Sequence, residues 1–168
     1  MPGMATDVKR EAELSLRERG GLIDVSVRWP AAPEAETPPV LVFLSDLDSR
    51  PEEVSELCRE LCADFGIVVL SVRTRALDAA TTALEWTADH GAQLGADPGR
   101  LLVGGIGAGA SLAAAVARGA RDNGWPEVTE VTGLADDLAN SLRGAMTFDR
   151  DRGPINHDDH QEPDNHDC

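Results

Sequence analysis

Three glycines at alternate positions, Gly105, Gly107 and Gly109, lie where the apolar run Leu101–Gly104 gives way to an Ala-rich stretch beginning at Ala108. A sharp strand-to-helix turn needs such residues, because backbone segments approach closely there and φ turns positive. With Ala110 the same residues fit the dinucleotide spacing G-x-G-x-x-A. Backbone N–H groups at the helix start would then receive a nucleotide phosphate. Against this, the motif follows several strands instead of opening the chain, and the region about 20 residues on (127–130) is not the end of a buried strand.

A second chemical group lies at the end of the chain. His157 and His160 bracket two Asp, and His166 and Cys168 bracket a third. These residue types bind zinc, nickel or copper. Nothing preforms their geometry, so the expectation is a solvated acidic tail with no metal and no cofactor. Cys58 and Cys62 share one face of a helix beside Leu57, Leu61 and Phe65, and read as two buried small hydrophobes. Ser111 reads as a small packing residue pointing down its helix. His90 reads as a surface residue with polar neighbours.

The hydropathy pattern supplies elements to position these residues. Residues 22–29 read as a strand ending at Pro30, followed by a linker rich in Pro, Ala and Glu. Val40–Leu44 and Ile67–Val72 are continuous apolar runs suited to strands buried on both faces. Between them Ser49 is expected to cap a helix with Pro51 in its first turn. Val54, Leu57, Cys58, Leu61, Cys62 and Phe65 form its apolar stripe, and Gly66 ends it. Further helices are expected at 76–94, 108–122 and 134–142, a turn at 95–99, and strands at 101–104 and 128–132. Alternating strands and helices with such connections predict an α/β fold with a mainly parallel sheet and helices on both faces.

The chain has 168 residues, the length of one domain. Asp and Glu number 30 against 15 Lys and Arg, for a formal charge of −15. From Asp149 onward seven acids oppose two Arg, so the tail carries −5 and residues 1–148 carry −10. A body this acidic excludes nucleic acid as a partner, because phosphate binding needs a basic face. No run reaches the 18 or more apolar residues of a membrane span. The polar start lacks the apolar core of a secretory signal, so the expected location is cytoplasmic. The organisation expected is a polar segment at 1–20, a folded domain at 21–145 and a disordered acidic tail at 146–168.

Several stretches together resemble a known family. They are Ala83-Leu-Glu-Trp86, His90, Leu94–Gly105 and Leu112–Arg118, with Val25–Pro30, Val40–Ser45 and Asp46–Ser49 upstream. The chain resembles the hormone-sensitive-lipase-like esterase and lipase branch of the α/β-hydrolase superfamily over about residues 20–135. The resemblance implies a truncated α/β-hydrolase core. It also implies that the glycine turn is the former G-x-S-x-G nucleophile elbow. The nucleophile position is then Gly107, which has no side chain to acylate. Ala108 would keep one oxyanion N–H. Ser45 stands where the family's H-G-G-G-type oxyanion loop would begin, and the glycine run is absent.

Two further departures follow from the resemblance. The family's Tyr-Arg-Leu-Ala-Pro-Glu segment is replaced by Ser71-Val-Arg-Thr-Arg75, and the chain contains no Tyr. The triad acid and His would come after later strands. Asp136 and Asp137 fall too early to supply that acid, and His157, His160 and His166 lie in the tail. The expectation is an esterase-like protein without ester hydrolysis. Its alternatives are a pseudoenzyme that binds a small acyl ligand or a protein partner, and nucleotide-phosphate binding at Gly105–Ala110. The strand at 128–132 would form a sheet edge carrying Glu130, a place for a partner or self-association.

Overall fold

The computed structural model describes residues 8–33, 35–131, 140 and 142–144. The chain runs β1 (Val8–Glu18), β2 (Gly21–Pro30), β3 (Pro39–Ser45), α1 (Pro51–Phe65), β4 (Val68–Arg73), α2 (Leu77–His90), β5 (Asp97–Gly105), α3 (Ala108–Asn123) and β6 (Thr129–Val131). The six strands form one sheet in the order β1-β2-β4-β3-β5-β6. Pairings β4–β3, β3–β5 and β5–β6 are parallel, and β1–β2 and β2–β4 are antiparallel.

β3 lies at the centre because its sequence can be buried on both faces. Val40, Val42 and Leu44 join Ala80, Ala83, Leu84, Ala113, Val116 and Ala117 beneath α2 and α3. Leu41 and Phe43 point the other way and pack with Val54, Cys58, Leu61 and Cys62 of α1. Helices therefore cover both faces, as the apolar runs predict. Phe43 is fully buried, so its truncation to Ala should cost about 3–5 kcal/mol.

Helix α1 begins at Pro51, and Arg50, with ψ 126°, is its N-cap without a side-chain cap bond. The expected cap, Ser49, lies one residue too early: Pro51 at the first helical position puts the cap on the residue before it. Glu52 and Glu53 place negative charge at the helix's positive end. Gly66, at φ 61°, stops the helix and turns the chain into β4.

Two other boundaries differ from expectation. The polar segment at 1–20 is not separate from the domain, because Val8–Glu18 forms β1 and pairs with β2 along its whole length. Its even positions Leu14 and Leu16 pack on the core, and the charged residues Glu13 and Arg17 flank them. The turn at 95–99 is shorter than expected, since β5 starts at Asp97 opposite Pro39. The ladder then skips to Leu101 opposite Val40, so Pro98, Gly99 and Arg100 form an irregularity in the strand. The helix expected at 134–142 lies mostly outside the described residues; Asn140 and Leu142–Gly144 are helical, and Leu142 is fully buried.

Candidate functional site

Strand β3 leads into α1 on one face of the sheet, and β5 leads into α3 on the other. Their departing connections part above the sheet, and this is where open α/β sheets form a ligand crevice. Ser45 ends β3, and Gly105 ends β5 beside it, with Leu44 opposite Gly105. Ile106 N–H donates to the Leu44 carbonyl oxygen at 3.2 Å, holding the turn against the β3 end.

Each glycine of the turn is required for a different reason. A Cβ on Gly105 would lie 2.4 Å from the Leu44 carbonyl oxygen, and one on Gly109 only 2.2 Å from the same oxygen. Gly105 and Gly109 therefore allow α3 to start directly against β3. Gly107 is different: it has φ 59° and ψ −131° as the N-cap of α3. It is exposed, and a Cβ there would meet nothing within 4 Å. The turn is thus a sharp elbow whose glycine apex faces open space with no functional group on it.

The amides of the elbow are unequally available. Gly109 N–H donates to Ile106 O at 2.9 Å, and Ala110 N–H donates to Gly107 O at 3.2 Å. Both are therefore committed within the turn, which weakens it as a phosphate cradle. Ala108, exposed in the first turn of α3, offers an N–H with no place in the intrahelical ladder.

The loop after β3 takes the place expected for an oxyanion loop and is closed upon itself. Ser49 N–H donates to Asp46 O at 3.1 Å. Arg75 binds Asp46 Oδ1 through Nε and Asp48 Oδ1 through Nη2, each at 2.8 Å. Arg73 donates to the carbonyls of Leu47 and Ser49. The hydrogen bond from Arg75 holds the Asp46 carboxyl below its ordinary range. The Ser45 hydroxyl is buried with no hydrogen-bond partner among the described residues. The Asp46–Arg75 clamp escaped the sequence reading. Its trace is present nonetheless, as Asp-x-Asp directly after β3 and Arg-x-Arg at the end of neighbouring β4.

Other expected residues are placed as follows. Cys58 and Cys62 are fully buried free thiols, and burial pushes them up to about 11 and about 12. His90 is half-buried, not a surface residue: its ring stacks on Trp86 with centroids 4.7 Å apart, and Nδ1 donates to Trp86 O at 2.9 Å. The i, i+4 spacing on α2 brings those rings together. Ser111 is exposed, not a packing residue, because it lies on the outer side of α3. Asp136, Asp137, His157, His160 and His166 lie outside the described residues. Among the described residues no group of three or more His, Cys, Asp or Glu could hold a metal ion. No helix among them is long and apolar enough to cross a membrane.

Comparison with known proteins bears on this geometry. The family model for the alpha/beta hydrolase fold matches residues 43–141, which include the clamp and the elbow. Esterase LipI of Mycobacterium tuberculosis (strain ATCC 25618 / H37Rv) is 34% identical over 136 residues, covering 71% of this chain and 41% of that protein. Carboxylesterase NlhH of Mycobacterium tuberculosis (strain CDC 1551 / Oshkosh) is 30% identical over 131 residues, covering 68% of this chain and again 41% of the relative. The hyperthermophilic esterase of the archaeon Pyrobaculum calidifontis superposes with a TM-score of 0.66 at 32% identity, over 76% of this chain and 44% of its own. This chain thus spans less than half the length of these relatives. From the elbow, the sheet order and these matches together, the chain belongs to the alpha/beta hydrolase family, with an esterase- and lipase-like fold.

Proposed function

We propose that this chain is a hydrolase-fold protein that does not hydrolyse esters, and that it holds a small acyl or carbonyl group at the ends of β3 and β5. The observation that carries this reading is Gly107, which occupies the elbow apex and offers no nucleophile. Acyl transfer needs a hydroxyl or thiol at the point where the carbonyl carbon is presented. The second support is the clamped loop at Asp46–Ser49, which has no glycine run to supply further oxyanion donors. The Ala108 N–H keeps one donor for a carbonyl oxygen. Leu47, exposed on the loop after β3, and Leu77, exposed at the start of α2, supply apolar surface for a short acyl chain.

Ester hydrolysis by the relatives named above is theirs, and the present chain matches only part of each. The test is turnover of short-chain p-nitrophenyl esters by the full chain beside a heat-denatured control. No excess release of p-nitrophenol supports the reading. Release above the control overturns it, whether a serine-directed phosphonate abolishes that release, which would implicate a serine, or leaves it, which would implicate another nucleophile.

A further inference from the structure

Strand β1 is an edge strand: among the described residues it pairs only with β2. It is 11 residues long and unbroken by proline. Such an edge presents unpaired N–H and C=O groups to any other strand. Its charges are mixed in sign, with Lys9, Arg10, Glu11, Glu13, Arg17 and Glu18 in the strand. Their order, and not their number, is informative.

Paired residues of an antiparallel ladder share a face, so two copies related by a two-fold axis must pair about one residue facing itself. About Leu14, Arg10 faces Glu18, Glu11 faces Arg17, Ala12 faces Leu16 and Glu13 faces Ser15. Symmetry makes each of the two ion pairs twice, and no like charges meet between positions 10 and 18. About Glu13, that residue would face itself and Lys9 would face Arg17. About Ala12, Glu11 would face Glu13. About Ser15 the charges agree, but only residues 12–18 overlap, with a single kind of ion pair inside the strand. The ladder irregularity between Val8 and Arg10 lies just outside the stretch used by the Leu14 register.

The existing contacts leave this register open. Glu11 meets Arg28 and Arg59 through Oε1, which leaves Oε2 for Arg17 of a second copy. Arg10 lies over the Trp29 ring, 4.0 Å from its centroid, and is held on the same face as Leu14. Arg17 is exposed. The overall charge of −15 repels copies in general. Association therefore needs a local pattern that is complementary to itself, and β1 has one.

We infer that the free edge of β1 is a self-recognition edge: two copies of this chain join antiparallel about Leu14, extending one sheet into the other. The partner is a second copy, because cross-strand charges select it over strands of other sequence. The buried area of a single strand pair is small, so the dimer is weak and concentration-dependent.

The test uses the full chain with Cys168→Ser, to remove the cysteine outside the buried pair, and adds Glu13→Cys, Leu14→Cys or Ser15→Cys one at a time. Facing residues of such a pair lie within disulfide range. Mild oxidation should cross-link the Leu14→Cys chain far more than its two neighbours. Separately, Arg17→Glu sets acid against Glu11 twice and should weaken the dimer about tenfold or more by sedimentation velocity, with an unchanged far-ultraviolet spectrum. A chain that stays monomeric at its highest soluble concentration overturns the inference. So does a dimer insensitive to Arg17→Glu, which would implicate β6 or another surface, and so does preferential cross-linking at 13 or 15.

Discussion

Arg75 Nε donates to Asp46 Oδ1 at 2.8 Å, tying the connection after β4 to the connection after β3. Asp48 binds the same guanidinium through Nη2. The loop beside the elbow is thus tied to the end of a neighbouring strand.

This pairing predicts a local titration. The Asp46 carboxyl is held below its ordinary value chiefly by the Arg75 hydrogen bond. A carboxyl lowered in the folded state contributes stability above its unfolded value, and loses it as pH falls through the folded one. In Arg75→Ala the Asp46 resonance should therefore titrate at higher pH than in the parent, read by NMR. Both groups are solvent-exposed enough that the global unfolding midpoint should move little. An unchanged Asp46 titration would show that the clamp does not form.

The turn glycines should respond unequally to an added methyl. Gly107→Ala meets no atom but must adopt φ 59°, at a cost of about 1–3 kcal/mol. Gly109→Ala drives Cβ to 2.2 Å from a backbone oxygen, so it should cost more, about 3 kcal/mol or greater. Urea unfolding of the two variants gives the order. Equal losses would mean that α3 does not start against β3 as described.

Restoring a hydroxyl should not restore chemistry. Gly107→Ser places Oγ in open space, yet the Asp46–Ser49 loop carries no glycine run. The variant should show no ester turnover above the parent chain. It should also lose about 1–3 kcal/mol of stability through the strained apex.

The buried thiols make a fourth prediction. Burial raises Cys58 to about 11 and Cys62 to about 12. A thiol raised in the folded state gives stability that is whole below its unfolded value and declines as pH climbs from about 9 toward those values. At pH 8 both should resist iodoacetamide in the native chain and react after denaturation, scored by peptide mass spectrometry. Rapid native labelling of either would place it at the surface.

Much of the sheet was legible because its central strands are apolar on both faces. Val40–Leu44 and the core of β4 need no partner to be recognised. Strand β1 was not legible, because charges flank its inward residues Leu14 and Leu16. Only pairing with β2 fixes which side is inward. At the site, the tight glycine turn at Gly105–Gly109 could be read from residue type, and Gly107 as its nucleophile position only through the family resemblance. The separate roles of Gly105 and Gly109 could not, since the atom they avoid belongs to Leu44, some 60 positions away. The Asp46–Arg75 clamp was hidden for the same reason: it joins residues 29 positions apart through a strand order that spacing does not reveal.

The central claim is that the elbow presents no nucleophile, and intact-mass analysis after incubation with a serine-directed fluorophosphonate tests it most directly. The account predicts a chain of unchanged mass, even though Ser111 is exposed one turn along α3. A stoichiometric phosphonyl adduct on the folded chain, absent after denaturation and mapped to any serine, would contradict it.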